Sequence, residues 1–196
     1  MIPHGLGGVP DLVIIKQLDN VSATWHVLHQ GHAFGTFEGY FRLNSNVAFV
    51  VDSNSFPAVP TTHHVHTGLT VFNGNGGAGT SYIMYCWKSV AGVSAFGYHA
   101  DALGAVAGTT VGITGYCGFK PRFVMIKRIN GVYGWFIYDS NRGGTASSDF
   151  YSLGDSDADE VEASARTVTF TSTGFYIDDY AGIGTSGGTY ITAAFA

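Results

Sequence analysis

Charge is scarce in this chain of 196 residues: Asp, Glu, Lys and Arg make up only 12% of it, about half the usual share. The helix formers Glu, Lys, Gln and Leu are few, so amphipathic helices are not its building unit. No apolar run approaches the roughly 20 residues of a membrane helix, and the Met1 segment shows neither the basic start nor the apolar stretch of a secretion signal. With Lys and Arg numbering 9 against 14 Asp and Glu, the net charge of −5 opposes general attraction to a nucleic-acid backbone. Two cysteines, Cys86 and Cys117, do not make a disulfide framework, and the expectation is a pair of buried free thiols.

What is present is glycine, 28 residues of it, with short runs of Val, Ile, Thr, Tyr and Phe between the glycine-rich places. Such runs suit a pleated, half-buried surface, and the glycines suit the turns that join strands. The expected fold is all-β.

The chain also resembles itself. Pro10, Ile15 and Lys16 match Pro121, Ile126 and Lys127 at an offset of 111, and Trp25, Val27, Leu43 and Ala48 match Trp135, Ile137, Leu153 and Ala158 at 110. Thr67-Gly68-Leu69 meets Thr173-Gly174-Phe175 at 106, and Gly74, Gly76, Gly79, Tyr82, Ile83 and Trp87 meet Gly182, Gly184, Gly187, Tyr190, Ile191 and Phe195 at 108. The offsets drift only between blocks, where loops tolerate insertion, and the blocks themselves have strand character. The expected architecture is two tandem duplicated antiparallel β-sandwich-like units, residues 1–88 and 89–196.

Within the second unit, Phe123–Ile126 and Trp135–Tyr138 are apolar on both faces, as strands covered on both sides are. Asn130-Gly131 between them is a hairpin signal. Thr167–Phe170 alternates, which points Val168 and Phe170 inward. Residues 157–165 form the one candidate helix. Residues 93–98 and 109–113 read as two opening strands without a counterpart in the first unit, whose sheet is therefore expected to expose an edge that a neighbouring subunit, another protein or the 88–117 segment fills.

The run Gly118–Lys127, then Gly134–Arg142, Ser172–Phe175 and Gly187–Ile191 ending in Ala193-Ala194-Phe195, resembles a repeated domain of unknown function found in structural proteins of tailed, often marine, bacteriophages. Pro3–Gly7 and Pro10–Lys16 are similar to the opening of that domain in a more diverged copy. The resemblance implies a component of the virion surface, assembled in the bacterial host cytoplasm, such as a tail fibre, a tail-tip adhesin or a head decoration, and it brings no catalytic residues.

Gly74–Gly79 and Gly182–Gly187 both spell a dinucleotide-binding motif, but strands rather than a helix N-terminus follow them, so they read as loops. Asp155–Glu160 begins like a calcium loop, yet Glu160 stands where the turn glycine belongs and Arg166 where the closing carboxylate belongs. Asp178-Asp179 is a second acidic pair. His64 and His66, with His29 or His32, are the one histidine set that approaches a tetrahedral metal site, set against exposed strand histidines. Lys120, Arg122, Lys127 and Arg128 form the densest basic group and read as a subunit contact. Trp25 and Trp135 read as core, while exposed Tyr and Trp are the candidates for stacking on sugar rings.

No nucleophile elbow, Cys-His pairing or glycosidase carboxylate pair stands out. The expectation is a non-catalytic protein without cofactor, metal or catalytic residue, meeting other virion proteins and copies of itself. A lectin-like module binding host surface glycan is the alternative, and an enzyme that degrades envelope polysaccharide comes third.

Overall fold

The computed structural model describes residues 1–19, 22–33, 39–68, 80–100, 113–141, 150–153, 161–162, 168–177 and 187–196. In the first half of the chain the strands are β1 (Ile2–Pro3), β2 (Leu12–Gln17), β3 (Trp25–His29), β4 (Gly39–Arg42), β5 (Val50–Val51), β6 (His64–Val65) and β7 (Tyr82–Trp87), with a single helical turn α1 (Gln30–Ala33) after β3. The second half holds β8 (Ser94–Ala100), β9 (Ile113–Tyr116), β10 (Phe123–Arg128), β11 (Trp135–Asp139), β12 (Phe150–Leu153), β13 (Val161–Glu162), β14 (Val168–Thr171), β15 (Gly174–Ile177) and β16 (Thr189–Phe195). The fold is all-β and sandwich-like, and every pairing among the described strands is antiparallel.

Two large sheets dominate. The first runs β5-β4-β3-β2-β7, and the second β13-β12-β11-β10-β16-β8. Strand for strand the orders agree, except that the second sheet continues beyond β16 with β8. Register agrees at its centre as well: Lys16 faces Trp25 on one side and Ile83 on the other, as Lys127 faces Trp135 and Ile191. Tyr82 opposite Gln17 has its counterpart in Tyr190 opposite Arg128. Outside this centre the agreement loosens, since Arg42 takes the pairing position opposite His26 that Leu153, not the residue before it, takes opposite Phe136. Thr173-Gly174 closes the β14–β15 hairpin, whereas the Gly68 N–H donates to the Ser55 carbonyl at 2.7 Å.

The alternation of the strands explains the layering. Leu12, Ile14, Val27 and Phe41 point from the first sheet into one core with Met125, Trp135, Ile191 and Ala193 from the second. On its opposite face the first sheet packs Val13, Ile15, Leu28 and Tyr40 against Phe56 and Val65. The far face of the second sheet, Val124, Ile126, Phe136, Tyr138 and Tyr190, is covered by Val168, Phe175 and Ile177 of a three-stranded sheet, β14-β15-β9. Each central strand is thus buried on both faces, as the unbroken apolar runs of β2 and β10 require.

Several expectations need correction. Within 157–165 the described residues Val161 and Glu162 are extended as β13 and pair with Tyr151 and Phe150. Only residue 113 of the expected 109–113 strand is described; it opens β9, which does have a first-half counterpart. β1 and β9 are each followed by a left-handed glycine three residues before a proline, Gly7 at φ 68° before Pro10 and Gly118 at φ 76° before Pro121. Of the two expected opening strands, β8 is therefore the one without a described first-half counterpart. The Asn130-Gly131 hairpin forms with a longer loop, because Lys127 and Trp135 are the last paired residues and Gly131 is not among the left-handed glycines. Asn130 serves through its side chain, whose Nδ2 donates to the Gly187 carbonyl at 2.6 Å while Oδ1 accepts from the Thr189 N–H at 3.1 Å.

Candidate functional site

The histidines do not converge. His29, at the end of β3, is 1% exposed and lies between the two large sheets. Its Nδ1 accepts the Gly31 N–H at 3.1 Å, which leaves the ring hydrogen on Nε2, and Nε2 donates to the Thr192 carbonyl at 2.9 Å. Burial holds its pKa down to about 4, with the Thr192 bond and Asp11 opposing. His32 packs edge-on against Phe49 with ring centroids 4.3 Å apart, while His64 sits in β6 opposite Pro3. Among the described residues no three His, Cys, Asp or Glu side chains are placed to hold a metal ion. The reading of His29 as an exposed strand histidine is corrected: it is one of the most deeply buried polar groups.

His26 is also internal, with its ring 4.4 Å from that of Tyr40, and burial followed by the Arg42 charge lowers its pKa to about 4. His99 on β8 shares a hydrogen with the Thr192 hydroxyl at 3.0 Å, and burial lowers its pKa too. It borders a cavity of about 40 Å³ between β8, β9 and β15, together with Tyr116, Cys117 and Phe175. That volume is enough for a few water molecules.

The basic group divides. Lys120 and Arg122 are exposed, but Lys127 is wholly buried, so it is unavailable to a partner. Lys127 Nζ donates to the Tyr133 carbonyl and, at 3.3 Å, to the Asn46 carbonyl of the first sheet's half. Its match Lys16 donates to the Ala23 carbonyl at 2.6 Å. In both copies the lysine thus bonds the carbonyl two residues before the matched tryptophan. A lysine that closes the same apolar run in both copies is the sequence signal for this clamp.

Cys86 and Cys117 are free and half-buried, and burial raises both thiols to about 11. A thiol held so high is a weak nucleophile near neutrality. Gly74–Gly79, Asp155–Glu160 and Asp178-Asp179 lie outside the described residues. Of Gly182–Gly187 only Gly187 is described, with φ at 73°.

Among the described residues the first sheet has an open edge at β7. The Leu18 N–H donates to the Ser81 carbonyl at 2.9 Å, and bonded and non-bonded pairs alternate along an antiparallel ladder. Ile83, Tyr85 and Trp87 therefore turn their backbone groups toward β2, and Tyr82, Met84 and Cys86 turn theirs away. At the corresponding place the Ile129 N–H donates to the Thr189 carbonyl at 2.8 Å, so Tyr190, Thr192 and Ala194 turn toward β8, which pairs with them. Among the described residues no strand lies along the outer side of β7, and the backbone groups of Met84 and Cys86 have no partner. Burial follows the same contrast: five of the seven β16 residues are buried, and no residue of β7 is. The Tyr85 and Trp87 rings stack along this edge with centroids 5.9 Å apart and planes 18° from parallel.

No curated protein and no solved structure matches the chain. A single family model spans both large sheets, and by its match over residues 1–196 the chain belongs to the family described as Domain of unknown function (DUF7483).

Proposed function

We propose that the chain is a non-catalytic structural or adhesion module of the virion surface of a tailed phage, built of two units, residues 1–88 and 89–196. The observation that carries the assembly role is the edge of β7, where among the described residues the Met84 and Cys86 backbone groups have no partner and a stacked aromatic pair lies beside them. An extended apolar edge of this kind pairs with another strand. Several of the described candidate groups are tied into the structure: both ring nitrogens of His29 bond backbone groups and Lys127 is bonded to two carbonyls, while burial raises both thiols to about 11. The common strand order and central register of the two sheets support the division into two units.

The test is location. Gold-labelled antibody against the chain is expected to decorate the surface of intact phage particles; particles that carry none of the protein overturn the reading. A lectin-like role is the second reading, favoured by the exposed ring of Tyr85 beside Trp87. Binding on a glycan array that Tyr85→Ala abolishes selects it.

A further inference from the structure

We infer that β7 is the interface of a two-fold dimer, in which the first sheet of one copy continues through β7 into the first sheet of a second copy. This rests on the assembly part of the function proposed above, and it names the partner as the same chain.

The second sheet provides the template. There, the outward backbone groups of Tyr190, Thr192 and Ala194 are paired with β8, and the Ala196 N–H donates to the Val93 carbonyl at 2.9 Å to extend the ladder. β7 occupies the position of β16, and its outward groups at Met84 and Cys86 require the same kind of occupant. The matching occupant is an extended strand, which supplies N–H and C=O groups along the edge, and antiparallel is the direction in which β8 pairs with β16 and in which every described pair of this fold runs.

The other described edges of the two large sheets do not fit. β5 is two residues long, and β13 is two residues long and carries Glu162. β8 has Gln30 against its outer side, donating to the Phe96 carbonyl at 3.4 Å. Among the described edges of the two large sheets, the one that remains open in a second copy is β7 itself, six residues without a charge, proline or left-handed glycine to blunt it.

Antiparallel pairing of β7 with β7 is self-complementary about a two-fold axis at Tyr85. In that register Met84 of each copy exchanges both backbone hydrogen bonds with Cys86 of the other, which satisfies the open groups. Tyr85 then lies opposite Tyr85 and Ile83 opposite Trp87 on one face, so every cross-strand pair on that face is apolar or aromatic. An isologous contact of this kind closes at two copies and does not propagate as a filament.

The experiment is sedimentation equilibrium on the intact chain across a range of concentrations, with Met84→Pro as the variant. Proline is tolerated at an edge where the N–H faces outward, and it removes one interchain bond per copy. The wild type is expected to be a dimer, with the variant's dissociation constant raised roughly 30-fold for two lost bonds. In wild-type hydrogen exchange, the Met84 and Cys86 amides should gain protection as concentration rises. Should Met84→Pro fail to fold, Tyr85→Cys in a Cys86→Ser, Cys117→Ser background decides: oxidation should cross-link it into a covalent dimer, and Tyr116→Cys in the same background should not cross-link. A monomeric wild type, or a dimer without concentration-dependent protection at Met84 and Cys86, overturns the inference. Neither result bears on antibody labelling of particles, so the surface-module reading stands or falls separately.

Discussion

The indole Nε1–H of Trp135 donates to the carbonyl oxygen of Arg42 at 2.8 Å, so the largest buried side chain of the second sheet is bonded to the backbone of the first. Its match Trp25 makes a different contact, lying half-buried 6.0 Å beneath the Lys16 ammonium. The two tryptophans share a register and differ in duty.

Trp135→Ala is expected to destabilise the chain by roughly 3–5 kcal/mol through lost burial and the cavity left behind. Trp135→Phe keeps much of the packing but strands the Arg42 carbonyl, costing about 1–3 kcal/mol. Denaturant unfolding measures both, and near-wild-type stability in Trp135→Ala would remove the residue from the core.

Acid should weaken the fold over a defined window. His26 and His29 have folded pKa values lowered from 6.5 to about 4, so between those values the unfolded chain binds more protons than the folded one. Stability is then level above pH 7, falls as pH drops from 6.5, and the loss is complete only below 4, at up to ~3 kcal/mol for each histidine. Urea unfolding as a function of pH checks this. Stability unchanged between pH 7 and 4.5 would contradict the buried placement of both rings.

Lys127→Met preserves volume but leaves the carbonyls of Tyr133 and Asn46 without their donor. A cost of about 1–3 kcal/mol is expected, whereas Lys16→Met, at a partly exposed site with one such carbonyl, should cost less. Equal losses in thermal or chemical unfolding would show that burial of Lys127 does not matter.

The thiols give a fourth check. With Cys86 and Cys117 both raised to about 11 by burial, a thiol reagent at pH 8 should react slowly with the native chain and rapidly with both cysteines after unfolding. Fast native labelling of either one contradicts its environment.

Local pattern was enough to place β2, β3, β7, β10, β11 and β16, because an apolar run between glycine-rich turns has few alternatives to a strand. Pattern misread Val161 and Glu162, which lie in a short polar segment of helical composition but are held extended by pairing with β12. Tertiary contact overrides propensity most easily in such short edges.

The sequence by itself determined the all-β class and the matched cores around Lys16 and Lys127, since alternation and self-similarity are written in neighbouring residues. Only the tertiary structure decided that β16 is central and β7 an edge, although the two strands match in sequence, because the difference lies in where β8 pairs. Likewise no local feature marks His29 as buried: its partner Thr192 is 163 residues away. Contacts over such separations depend on how two sheets face each other, and periodicity along a strand specifies which face is apolar but not what covers it.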